Sequence, residues 1–161
     1  TMDGITIAEK IAEQVGKIGE KIDITDYALL SAETVVAYNH SNGKVGVLVA
    51  MNKKGEAVET VGKDVTMQIA AMSPIAIDKN DVPEEVKTRE MEIGREQARA
   101  EGKPEAILEK IATGKLEAYF KDATLLNQKF VKDNSKSIRD VLTAVDKDLT
   151  VTAFKRIGLG A

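Results

Sequence analysis

The chain has 161 residues, with 43% hydrophobic and 30% charged side chains, the balance of an ordinary globular domain long enough to bury a core. Its formal net charge is −3, with Lys and Arg mixed among Asp and Glu, which weighs against nucleic acid as the main partner. It has no cysteine, no apolar run near the roughly 20 residues that span a bilayer, and no basic-then-apolar leader, so a cytoplasmic protein without membrane association is expected. Aromatic residues are scarce and Trp is absent, so aliphatic side chains must fill the interior. Thr1-Met2 reads as an expression scar, and the chain as a fragment of something longer.

Ile11, Val15, Ile18 and Ile22 recur at helical spacing, and Thr6-x-x-Glu9 is a capping box. A first helix is therefore expected over residues 6–21, with this stripe as core. Period two follows. Ile22 and Ile24, then residues 34–38, then Val45–Met51, read as three short antiparallel strands. Val45–Met51 is apolar on both faces and reads as the central strand. Asn42-Gly43 between the last two is a strong hairpin signal, because both residues tolerate positive φ. Val58, Val61, Val65, Ile69 and Met72 form a second helical stripe that should cover one face of the sheet, and Ser73-Pro74 ends it.

Composition shifts at Asp81. Asp81-x-x-Glu84 is a further capping pattern, with Pro83 tolerated in the first turn. Residues 84–101 are mostly charged, with Val86, Met91, Ile93 and a few alanines as a thin apolar seam. Gly102-Lys103-Pro104 reads as stop, turn and restart, and the next helix carries Ile107, Leu108, Ile111, Leu116, Tyr119 and Phe120. Two charged helices joined by a tight turn make a projecting helical hairpin, akin to a short coiled coil. Ser137-x-x-Asp140 then caps a short helix with Ile138, Val141, Leu142 and Val145. Leu149, Val151, Ala153 and Ile157 alternate as a strand that should rejoin the first sheet. The expected fold is α+β: a three- to four-stranded antiparallel sheet with covering helices and an inserted hairpin.

Catalytic chemistry is hard to find. His40 is the single histidine, which rules out a His-rich metal site, and no cysteine supplies thiolate ligands. No serine sits in a nucleophile elbow, and Gly43-Lys44-Val45-Gly46 lacks phosphate-loop spacing. The carboxylates of residues 84–101 read as a solvated helix face. His40, at a hairpin tip, is either an exposed turn residue or a contact residue on a rigid scaffold. No cofactor and no enzymatic activity are implied.

The order of motifs adds a family resemblance. Lys17-Ile18-Gly19-Glu20-Lys21-Ile22 resembles the "KIGENI" segment of translation elongation factor Ts. Tyr38-Asn39-His40, followed by Gly43 to Ala50, resembles its "Y-x-H … GVLVA" hairpin. Gly102-Lys103-Pro104 is similar to its "SGKP" turn, and Leu125 to Val131 to its "L-x-x-Q-x-F-V" segment. Ser135-Lys136-Ser137-Ile138, leading to Val151-Thr152-Ala153-Phe154, resembles its closing helix and strand. Together these cover about residues 15 to 158.

The resemblance implies a guanine-nucleotide exchange factor that binds elongation factor Tu with GDP and promotes GDP release in protein synthesis. It implies a core subdomain in residues 1–80 and 125–161, interrupted by a coiled-coil dimerisation hairpin at 81–124. It places Ile18, Gly19, His40 and Val131 at the partner surface, with Lys132 beside them, although the family often has an apolar residue at that last position. From the residues alone, Ile18 can equally be core and Gly19 a helix-end glycine. The family's N-terminal helical domain and its "QTDFVAK" segment are not matched. Thr25-Asp26-Tyr27 mimics that segment but follows the "KIGE" motif instead of preceding it. The expectation is therefore a chain that keeps part of the partner surface and exchanges nucleotide poorly. A homodimerisation module unrelated to translation, and a small hydrolase or ligand-binding domain, are the alternatives.

Overall fold

The structure is a computed structural model and describes residues 3–41 and 43–159. Asn42, half of the expected Asn-Gly turn, and Thr1-Met2 lie outside the described residues.

Helix α1 (Ile7–Ile18) starts at the Thr6/Glu9 capping box and ends at Gly19, whose φ of 78° is the left-handed conformation a glycine adopts without a Cβ clash. It stops three residues short of the expected end for that reason. Its apolar stripe is not core: α1 contributes no buried residue, and Ile18 is 58% exposed. Ile22 and Ile24 do not form a strand. Residues 21–31 run without regular structure, and Lys155 pairs with Asp26 at 3.3 Å to tie this segment to the sheet.

Strands β1 (Thr34–Asn39) and β2 (Val45–Met51) form the expected antiparallel hairpin. Gly43 takes a φ of 66° in the turn. Helix α2 (Glu56–Met72) follows, ending where Ser73 turns left-handed before Pro74. Val58, Val61, Val65 and Ile69 are buried against β2, whereas Met72, the last of the stripe, is 46% exposed.

A 3₁₀ turn (Lys79–Asp81) is capped by Asp78, with Asp81 returning the bond to the Asp78 backbone. The expected cap at Asp81 therefore serves this turn and not the next helix. Helix α3 (Glu84–Ala100) begins directly after Pro83 without a side-chain cap. Gly102, at φ 74°, reverses the chain into α4 (Glu105–Ala123).

The seam between α3 and α4 buries the expected Leu108 but not Ile93 or Ile107. Small residues complete it: Ala98 and Ala112 are fully buried, and a Cβ on Gly94 would stand 3.1 Å from the Ala112 Cα. Such close approach leaves Ile93 and Ile107 38% and 41% exposed. The two ends of the hairpin are pinned side by side. The Ile75 N–H donates to Ala123 O at 2.9 Å, and the Leu125 N–H to Ala76 O at 2.9 Å. Ala76, Val82 and Phe120 pack beneath this root.

The chain then makes a 3₁₀ turn (Leu125–Asn127) and a small two-stranded sheet absent from the sequence expectation, β3 (Lys129–Phe130) with β4 (Asp133–Ser137). The Ser137/Asp140 capping box starts α5 (Ile138–Val145), and β5 (Val151–Gly158) pairs antiparallel with β2. The main sheet has the order β1-β2-β5, so β2 is central, as its two-faced apolar pattern predicts. The core joins Val47, Val49 and Met51 of β2 to α2, to Leu125 and Leu126, and to Ile138 and Leu142 of α5.

Candidate functional site

An open groove of about 460 Å³ lies between the β1–β2 hairpin, α2 and the turn joining β3 to β4. Tyr38 and His40 line one wall, Val45 sits beside them, and Met67, Ala70 and Ala71 of α2 form the floor. Val131 and Lys132 close the other side. The wall is therefore mainly aliphatic, with one imidazole, one phenol and one ammonium.

Local chemistry explains each placement. Tyr38 and His40 are two residues apart on an extended chain, so their side chains share a face. The His40 N–H donates to Val45 O at 2.8 Å, holding the tip of the hairpin closed. Lys132 is tied across the groove rim to Asp64 of α2, Nζ to Oδ1 at 2.7 Å. Val131, in the turn that follows β3, is 44% exposed although its neighbour Phe130 is buried.

Three of the residues singled out in the sequence thus meet in one groove: His40, Val131 and Lys132. They come from segments about 90 residues apart in the chain. Ile18 and Gly19 do not line it; they sit at the C-terminal end of α1, with the Gly19 N–H donating to Val15 O at 2.8 Å. Ile18 is not core, and Gly19 is a helix-end glycine. Met67, Ala70 and Ala71 were not identified from sequence, and Tyr38 entered only as part of the hairpin motif. The Ala70 and Ala71 positions follow from the helical period of α2, since residues flanking the buried Ile69 must face its edge.

Among the described residues no three His, Cys, Asp or Glu side chains are grouped so as to hold a metal ion. No helix among them is long and apolar enough to cross a membrane.

In class, this is an α+β protein bearing an apolar surface groove and a helical hairpin. Over residues 1–161 the chain matches the family described as Elongation factor TS. It is similar to the elongation factor Ts of Cytophaga hutchinsonii, 60% identical over 158 residues, covering 98% of this chain and 57% of that protein. It is 53% identical over 161 residues to the elongation factor Ts of Amoebophilus asiaticus, covering 99% of this chain and 58% of that protein. With that of Flavobacterium psychrophilum it shares 45% identity over 158 residues, 98% of this chain and 58% of the relative. The chain belongs to the elongation factor Ts family. It spans 57–58% of the length of these relatives.

Proposed function

We propose that this chain acts in translation as part of an elongation factor Ts, a cytoplasmic guanine-nucleotide exchange factor that binds elongation factor Tu·GDP and promotes GDP release. The observation that carries the proposal is the convergence of His40 and Val131, which the family resemblance assigns to the partner surface, on one groove together with Lys132 beside them. An aliphatic floor rimmed by a few polar side chains suits burial against another protein. Ile18 and Gly19 form a second contact at the exposed end of α1. The factor works by binding the nucleotide-free partner more tightly than the GDP-bound one, not by a reaction of its own.

Within this reading, residues 1–80 and 125–161 make the core subdomain and 81–124 an inserted hairpin. The hairpin serves as a homodimer contact, a role favoured by the exposure of Ile93 and Ile107 along it. The chain retains only part of the partner surface and accelerates GDP release weakly.

Titration calorimetry with purified elongation factor Tu·GDP, comparing the unmodified chain with His40→Ala, tests the proposal. Binding that His40→Ala weakens is the expected result. Equal affinity of the two would remove the groove from the interface. GDP release as fast as that given by a full-length factor would refute the partial-surface claim.

A further inference from the structure

Directly behind the groove, two primary amides are buried in a mainly aliphatic interior. Gln68 of α2 is 0% exposed, and Gln128, just before β3, is 1% exposed. A glutamine at a core position of a helix is costly unless every donor and acceptor it carries is matched. Here they are matched in a particular way. Gln68 Oε1 accepts the Val131 N–H at 2.9 Å. Gln68 Nε2 donates to Lys129 O at 3.0 Å and to Gln128 Oε1 at 3.1 Å. Gln128 Nε2 in turn donates to Asp122 O, in the last turn of α4, at 2.7 Å.

Lys129 and Val131 flank the buried Phe130, so Gln68 grips the backbone on both sides of it. A side-chain amide offers the same acceptor and donor pair as a peptide group. Gln68 therefore adds one rung of sheet-like pairing to β3, supplied from a helix. The groove residues Val131 and Lys132 lie at and just beyond that rung. Asp64, which binds the Lys132 ammonium, sits one helical turn before Gln68, so one face of α2 holds the same turn twice. The Asp64 pair is at the exposed rim, where solvent screens it. The Gln68 amide is fully buried.

We propose that Gln68 is a positioning residue of the docking groove: it fixes Val131 through the backbone and so sets the groove wall that the partner meets. The proposal rests on the groove being the surface for elongation factor Tu. An aliphatic residue at 68 would satisfy packing alone; the amide is needed to hold the 129–131 backbone in place and to pair the buried Gln128 carbonyl.

Two measurements on the whole chain test this. In amide hydrogen exchange followed by NMR, the Val131 amide of the unmodified protein is protected. In Gln68→Leu its exchange rises about 10-fold or more while Val65, in the core of α2, is unchanged. If Val131 of the unmodified chain exchanges like an unstructured peptide, the grip does not exist and the proposal fails, whether or not the variant folds. In calorimetry, Gln68→Leu weakens binding of GDP-loaded elongation factor Tu about 10-fold. The same change in a Val131→Ala background weakens it by no more than about 2-fold, because a residue acting through Val131 loses its effect when that side chain is gone. Full affinity in Gln68→Leu with Val131 released overturns the positioning role. Failure of the unmodified chain to bind at all overturns the partner reading instead, and the exchange data then decide separately whether Gln68 fixes the turn.

Discussion

Tyr38 and His40 are bonded to each other at the lip of the groove: the phenol oxygen and the imidazole Nδ1 are 2.9 Å apart, with ring centroids at 6.0 Å and planes tilted by 55°. The pair fixes the imidazole's orientation before any partner arrives, which spares the cost of ordering an exposed ring on binding.

Removing the hydroxyl should therefore loosen the imidazole without disturbing the sheet. Tyr38→Phe is expected to weaken binding to elongation factor Tu·GDP about 2- to 10-fold, the worth of one ordinary hydrogen bond. The double variant with His40→Ala should bind no more weakly than His40→Ala alone. Additive losses in calorimetry would show that Tyr38 touches the partner independently.

Two glycines should resist enlargement and a third should welcome it. A Cβ on Gly62 of α2 would stand 2.7 Å from Val36 Cγ2 and 3.1 Å from Met51 Sδ. Gly62→Ala is expected to cost about 1–3 kcal/mol in urea unfolding, as overpacking does. Gly94→Ala presses on the Ala112 backbone and should raise amide exchange in α3 and α4 selectively. Gly16 in α1 has open space around it, so Gly16→Ala should strengthen that helix by about 0.5–1 kcal/mol, read as slower exchange of its amides.

Acid should attack the contact between the hairpin root and α5. Burial pushes the Asp78 carboxyl up, but bonds from Asn127, the Lys79 N–H and Arg139 together outweigh it and hold the group below its ordinary 3.8. The Arg139 guanidinium lies 2.6 Å away. A carboxyl depressed in the folded state contributes stability above its unfolded value and loses it as pH falls through the folded one. Asp78→Asn should therefore lower the urea midpoint at pH 7 and leave it nearly unchanged below the folded-state value. A deficit that persists unchanged in acid would mean that the carboxylate charge is not what matters.

Self-association through the hairpin should appear as a concentration-dependent dimer in sedimentation velocity, shifted to monomer by Ile93→Lys. A monomer at every concentration, or a dimer indifferent to that change, would place the contact elsewhere.

Local signals carried much of this fold into the sequence. Capping boxes at Thr6 and Ser137, the two-faced apolar run of β2 and the Gly102 turn are decided by neighbours a few residues away, and each appears where expected. What failed was decided over distance. The α1 stripe has the period of a core helix, yet periodicity does not say what covers the face. Ile22 and Ile24 alternate like a strand but join no ladder, although β1 and β5 each pair on one side only. Gln68 interrupts an apolar stripe without revealing that its acceptor is needed 63 positions later. His40, Val131 and Lys132 were named through resemblance alone; that they share a groove is a fact of the tertiary fold.

The only partly covered stripe of α1 divides the molecule into two tiers of cohesion. Twelve residues of helix are marginal alone, and this one is held by its Thr6/Glu9 box and by Glu13 bridging Lys10 and Lys17, terms that do not depend on the sheet. Its opening therefore costs far less than global unfolding. A protease should nick the chain near Gly19 while the body behind it stays folded. The two ends of the proposed partner surface, the α1 terminus and the groove, consequently differ in kind: one is a tether that must be ordered on docking, the other a socket already set.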